Sequence, residues 1–302
     1  MSHRGERVIE PGRVGGDLSE VAVYRRTIGA SLERVWENVL DWEHLPWLHR
    51  TSFLDVRLLD ADREGWRARV VLPPRAAPQE AEIDVRLDRP RLRYLARTTA
   101  GAGAGTEILT RLDPSAARTT GITVSFRVPG VTASDAAAIG AAYVHVYTRL
   151  WDEDEAMMCR RQALLDGVAD PALDAPRAAD AVRLGPGARL RARLPVVVQA
   201  HGRSVRLVEI DGEIVAHGTV CPHLGGPLDE APIEDGCVRC PWHGYRFDVR
   251  SGRNADGRAC RLAPAHAVAI DPTTGEAWLL APAATVLSAP NGGATAVPGR
   301  SD

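Results

Sequence analysis

The sequence predicts an α+β chain of two domains, an antiparallel sheet closed by a long helix and then a small all-β domain. Three observations predict it. Six segments alternate apolar and polar residues between 53 and 128, a helical stretch runs from about 134 to 166, and short strands with Gly-rich turns fill 190–282. At 302 residues the chain is long enough for two domains of ordinary size.

The first 18 residues read as an N-terminal extension. From Ser19 to Ile28 the pattern alternates as a strand. Ser31 then reads as the N-cap of an amphipathic helix with Leu32, Val35, Trp36, Val39 and Leu40 on one face, and Pro46 is expected to stop that helix. The alternating segments near 53–60, 65–72, 80–88, 91–99, 105–112 and 118–128 follow, separated by Asp, Gly and Pro turn signals. GAGAG at 101–105 lies between two of them with no helix after it, so it reads as a hairpin turn rather than a dinucleotide loop. The Pro/Ala-rich run DPALDAPRAAD marks a linker over 169–189, which divides a first domain at 19–168 from a second at 190–282. Residues 283–302 read as a flexible tail.

Composition narrows the function classes. The chain is 45% apolar and 25% charged with a net charge of -2, which gives no electrostatic reason to expect nucleic acid or an anionic membrane, although all 37 basic residues are arginine. No apolar run has signal-peptide or membrane-span character, so a cytoplasmic protein is expected. Five cysteines do not make a disulfide scaffold in a chain this size, and their spacing matters more than their number.

That spacing is informative in the second domain. CPHLGGPL at 221–228 and CPWHGYRFD at 240–248 give Cys-x-His, sixteen residues, and Cys-x-x-His. Two thiolates and two imidazoles on paired loops fit a two-iron, two-sulfide cluster with histidines on one iron, and the bare ligand count also permits a tetrahedral zinc site. The flanking residues resemble the Rieske family. The resemblance implies that Cys221 and Cys240 bind one iron and His223 and His243 the other. Gly226 and Trp242 stand where some members carry an extra disulfide, which implies the lower-potential oxygenase and ferredoxin type. Cys159, Cys237 and Cys260 match no ligand position.

The order of elements in the first domain resembles the helix-grip fold of the START and Bet v 1-like superfamily, whose curved sheet wraps a long helix around an apolar cavity. NVLDWEHLPWLH supplies Asn38, Asp41, His44 and His49 at the end of its first helix. This matches the iron motif of Rieske non-heme iron oxygenases in residue type and spacing. His44 on the last turn and His49 beyond Pro46 can converge on one metal, and neutral imidazole suits Fe(II). A facial triad needs one carboxylate more, and helical phase selects Asp154. Ile139, Tyr143, Tyr147, Leu150, Met158 and Leu165 lie within about 60° of it on the helical wheel, Asp152 points away, and Glu153 and Glu155 flank the stripe. A carboxylate on an apolar face needs a metal or an arginine, and Arg161 is the competing partner. His145 is expected to face solvent. In the family, the acid matching Asp41 bridges a cluster histidine and an iron histidine, which here implies a link from His44 to His223 or His243. Asn38 is a candidate hydrogen-bonding group near the iron.

The resemblance implies an O2-dependent oxidation of an apolar or aromatic small molecule: hydroxylation, demethylation or desaturation. No nicotinamide-binding or flavin-binding motif is present, so electrons from NAD(P)H would arrive through a separate reductase, with or without a ferredoxin. The Rieske part follows the catalytic part here, the reverse of the family's usual order. Family members pass electrons between subunits, so a homo-oligomer, with a trimer favoured, is expected, while both metals within one chain is the other arrangement the reversed order allows. Two different readings stay open: a Rieske electron carrier fused to a hydrophobic-ligand-binding domain without mononuclear iron, and a redox-sensing binding protein.

Overall fold

In the computed structural model, the described residues are 17–73, 77–167, 181–200, 202–263 and 266–281. The expected tail and most of the expected N-terminal extension lie outside them. The first domain contains β1 (Leu18–Ile28), α1 (Leu32–Leu40), a 3-10 turn (Trp42–His44), α2 (Leu45–Leu48), β2 (Asp55–Asp62), β3 (Gly65–Leu72), β4 (Gln79–Asp88), β5 (Arg93–Gly101), β6 (Glu107–Ala116), β7 (Thr119–Pro129) and α3 (Ala136–Leu165). Its strands form one antiparallel sheet in the order β1-β7-β6-β5-β4-β3-β2. This is a large antiparallel sheet with a long C-terminal helix, the arrangement the alternation and the helical stretch predict. GAGAG joins β5 to β6.

Alternation explains which face is covered. Ala68, Val85, Leu112, Ile122, Val124 and Phe126 point inward and pack with Val35 and Trp36 of α1 and with Trp151 and Met158 of α3. Gly140 sets how closely α3 approaches β1. A Cβ there would stand 2.3 Å from the Val21 carbonyl oxygen, at the point where the β1 register shifts between Glu20 and Ala22.

The end of α1 differs from expectation in a way that matters for the site. Ser31 caps the helix by accepting from Arg34 N at 3.4 Å, but the helix stops at Leu40, well before Pro46. Asp41 leaves helical geometry at φ -85°, ψ 82°. Pro46 instead opens α2, where its missing N–H belongs to a first-turn position that has no helical acceptor anyway. His44 therefore sits in a 3-10 turn rather than on the last turn of α1.

The second domain contains β8 (Ala181–Pro186), α4 (Gly187–Arg191), β9 (Val196–Ala200), β10 (Arg203–Ile210), β11 (Glu213–Gly218), β12 (Ile233–Glu234), β13 (Cys237–Arg239), β14 (Arg246–Asp248), β15 (Ala267–Ile270) and β16 (Glu276–Leu280). Three small sheets have the orders β11-β10-β9, β12-β13-β14 and β15-β16-β8. Part of the expected linker over 169–189 is therefore structured: β8 pairs with β16, because VRL supplies an apolar edge that the composition of the preceding run obscured. Residues 169–180 of that linker lie outside the described residues.

The two domains share an interface along α3 and the 41–49 segment. Met157 and Leu48 pack in the second domain's core with Leu228, Val238, Trp242 and Phe247, whereas Met158 belongs to the first domain's core. Among the described residues, no helix is long and apolar enough to cross a membrane. Gly140→Ala is expected to destabilise the fold by about 1–3 kcal/mol, because the new methyl meets backbone that cannot rotate away. Thermal unfolding should show a lowered midpoint; an unchanged midpoint would mean that α3 is not held at this contact.

Candidate metal centres

Two loops of matching construction carry the second domain's motif. In the first, Cys221 N donates to Gly226 O at 2.9 Å and Gly225 N to Cys221 O at 3.0 Å. In the second, Cys240 N donates to Tyr245 O at 2.9 Å and Gly244 N to Cys240 O at 2.9 Å. These turns bring the two buried thiols into contact and place the His223 and His243 rings 4.5 Å apart. The neighbouring Cys221 thiol and the contact with His243 pull the Cys240 thiol below its ordinary pKa although burial opposes this. Gly226 leaves room for sulfur: a Cβ there would lie 2.5 Å from Cys240 Sγ. His223 Nδ1 is buried and has no hydrogen-bond partner. An orphaned imidazole nitrogen beside two converging thiols is the donor set an iron–sulfur cluster requires.

The second group lies in the first domain. His44 from the 3-10 turn, His49 from the end of α2 and Asp154 from α3 bring their ligand atoms within 4.8 Å of one another. His49 Nε2 is 3.0 Å and His44 Nε2 3.5 Å from Asp154 Oδ1, and Asn38 Nδ2 donates to the same oxygen at 2.9 Å. Both histidines are nearly inaccessible, 3% and 1% exposed. Burial pushes Asp154 up, but the hydrogen bond from His49 and the charges of both histidines outweigh it and hold the carboxyl below its ordinary value. Two imidazoles and one carboxylate on one side of a point form the donor set of a facial triad. Arg161, the competing partner of Asp154, instead points to Glu37 at 3.6 Å. His145 is exposed, as its helical phase predicts.

A carboxylate joins the two groups. Asp41 Oδ2 lies 2.6 Å from His243 Nε2 and 3.5 Å from His44 Nδ1. Asp41 is mostly buried, which disfavours its charge, yet the hydrogen bond with His243 and the nearby His44 imidazole hold it well below the usual carboxylate range. His243 is pushed up to about 9, against burial, by Asp41 and Cys240. Of the two histidines implied as partners, Asp41 meets His243, and it does so within one chain.

Sequence reasoning missed four contacts. Glu153 was placed beside the apolar stripe, but its Oε2 lies 2.6 Å from His49 Nδ1. Tyr245 donates to Glu43 Oε2 at 2.5 Å, and Arg258 donates to Glu43 Oε1 at 3.1 Å. Trp47 lies against Gly244, where a Cβ would come within 2.1 Å of the indole. The one available signal was the crowding of acids and aromatics in DWEHLPW; their partners lie about two hundred positions away.

Comparison with known proteins agrees with the loop geometry. Residues 181–273 match the Rieske [2Fe-2S] domain. The chain is 48% identical over 48 residues to human apoptosis-inducing factor 3, covering 16% of this chain and 8% of that protein. It is 34% identical over 58 residues to the ferredoxin component of the naphthalene 1,2-dioxygenase/salicylate 5-hydroxylase systems of a Ralstonia species, covering 19% of this chain and 56% of the ferredoxin. The chain thus spans little more than half the length of these curated relatives at most. A structural likeness to the Zhui aromatase/cyclase of Streptomyces sp. R1128 covers 48% of this chain and 96% of that one, at 14% identity and a TM-score of 0.41. The Rieske domain follows the large antiparallel sheet domain in this chain, and a Rieske domain implies a two-iron, two-sulfide cluster rather than zinc.

Gly226→Ala is expected to lower cluster content, read as acid-labile sulfide and as the visible absorption of the purified chain. Gly218→Ala, where a Cβ meets nothing within 4 Å, should leave both unchanged. Equal cluster content in the two variants would show that the space above Cys240 is not needed.

Proposed function

We propose that the chain is a Rieske-type non-heme iron oxygenase acting on an apolar or aromatic small molecule. Cys221, His223, Cys240 and His243 would hold the [2Fe-2S] cluster, and His44, His49 and Asp154 a mononuclear Fe(II). When bound, these groups supply one-electron transfer and dioxygen activation. The observation that carries the reading is Asp41, whose one oxygen stands 2.6 Å from a Rieske histidine and 3.5 Å from a triad histidine.

The chain's own residues do the positioning. Asp41 accepts the His243 Nε2–H, and its approach to His44 Nδ1 turns His44 Nε2 toward Asp154. Glu153 does the same for His49, whose Nδ1–H it receives while Nε2 faces Asp154. Asn38 orients Asp154 by donating to Oδ1. Next to this group, burial pushes the Tyr94 and Tyr147 phenols far up, and Asp154 is close enough to add to both shifts. Tyr143 stacks on Phe126 at 5.1 Å and Tyr147 meets the same ring edge-on at 4.7 Å. An apolar or aromatic substrate would suit this aromatic wall, which lies close to Asp154. Electrons from NAD(P)H would come through a separate reductase, with or without a ferredoxin. The bridge closes within one chain, so electron transfer would not require a neighbouring subunit.

Iron stoichiometry separates this reading from an electron carrier fused to a ligand-binding domain. Anaerobically purified chain is expected to hold roughly three irons, two in the cluster and one at the triad. His44→Ala or His49→Ala should remove one iron and leave the Rieske EPR signal of the reduced chain unchanged. Two irons in both wild type and variants would establish the carrier reading.

Asp41→Asn keeps the size of the side chain and removes its charge. It is expected to retain both metals and to slow O2-dependent reoxidation of the reduced chain by about tenfold or more, the size that losing a charge-assisted hydrogen bond of about 1.5–3 kcal/mol gives. Wild-type reoxidation with full metal content would mean that Asp41 does not couple the centres.

A further inference from the structure

Asp41 is not the only carboxylate that crosses from the first domain to the Rieske loops. Two residues later in the same turn, Glu43 reaches Tyr245 at 2.5 Å and Arg258 at 3.1 Å. Tyr245 is almost fully buried and lies nearly parallel to His223, with ring centroids 4.5 Å apart and planes 21° from each other. The Arg258 guanidinium sits 4.0 Å from the centroid of the same ring. The residue after Glu43 is His44, so the turn that carries a triad histidine also reaches toward both Rieske histidines. Asp41 meets His243 directly, and Glu43 reaches His223 through the Tyr245 ring.

We propose that Glu43 is a second positioning carboxylate, which acts through Tyr245 to fix the plane of His223 and to set the redox potential of the Rieske centre from the other domain of the same chain. Groups that orient a ligand from behind tune its metal as well as its geometry. A hydrogen bond from Tyr245 to Glu43 holds the phenol ring at one angle, and the stacked imidazole follows that angle. The Glu43 charge, balanced in part by Arg258, also lies within electrostatic reach of His223. The proposal rests on the cluster assignment and not on the mononuclear iron.

The test is the midpoint potential of the full chain, followed by EPR during a redox titration, with cluster content checked by integrating the same signal. Glu43→Gln removes a negative charge beside the centre and is expected to raise the midpoint, because a less negative surrounding favours the reduced form. Tyr245→Phe keeps the stacked ring and breaks the link to Glu43. In the Tyr245→Phe chain, Glu43→Gln should therefore shift the midpoint by less than in wild type, since the direct charge effect remains while the part carried through the ring is lost. A residue that only stabilises the fold would change cluster content or melting temperature and leave the potential alone. If Glu43→Gln retains too little cluster to titrate, Arg258→Gln reads the same charge pair from its other side and is expected to lower the midpoint. An unchanged midpoint in the titrated variant, or equal shifts in the two backgrounds, would overturn the proposal. Iron is counted on the same samples: roughly two irons per chain with a shifted midpoint would overturn the oxygenase reading and leave this proposal standing.

Discussion

The arrangement depends on one mostly buried carboxylate held between two imidazoles from different domains. An ionised side chain in such a place is costly unless it is paired, and the Asp41 side chain, 12% exposed, finds both partners, at 2.6 Å and 3.5 Å. The requirement works backward through the chain. Helix α1 must stop at Leu40 so that Asp41 can leave helical geometry and face the Rieske loops. The second ligand loop must turn at Gly244, whose φ of +68° and contact with Trp47 leave no room for a side chain. Helix α3 must approach β1 closely enough for Asp154 to face His44 and His49, an approach that Gly140 permits.

The segment 41–49 serves both domains at once. Trp42 and Leu45 pack on the first domain's core, Leu48 packs on the second's, and Trp47, 39% exposed, covers the turn beside His243. Its polar residues divide the same way: Asp41 and Glu43 face the Rieske loops, while His44 and His49 face Asp154. A proline at the start of α2 gives the chain the change of direction between its two histidines. The mixture of acids, histidines and tryptophans follows from this double duty, since each residue type has a separate surface to satisfy.

What could be read in the sequence was whatever local spacing encodes. The sheet came from alternation, α3 from its length, and the candidate ligands from the separations between Cys221 and His223, Cys240 and His243, and His44 and His49. Asp154 followed from helical phase, which has a real basis here because the helix lies on a single sheet for much of its length. The remainder depends on where one domain sits against the other, and no periodicity carries that. Glu43 and Tyr245 are 202 positions apart, and Glu153 and His49 are 104. The phase argument also fails where α3 passes the Rieske domain. Met157, at the edge of the predicted stripe, is buried against the Rieske domain rather than the sheet, whereas Leu165, on the stripe, is exposed. The stop at Pro46 was misplaced because a proline that ends one helix and a proline that starts the next look alike in sequence.

Helix α3 gives consecutive residues to two different cores, Met157 to the Rieske domain and Met158 to the sheet domain, and Leu164 and Arg160 further along it press on Gly225 of the cluster loop. Such a helix cannot be assigned to one inheritable module. A gene segment ending with α3 would encode a protein with an apolar face made for an absent neighbour, and one beginning at β8 would lack part of its own interior. Exchange of either half for another would therefore succeed only when the new partner arrives with a matching helix surface.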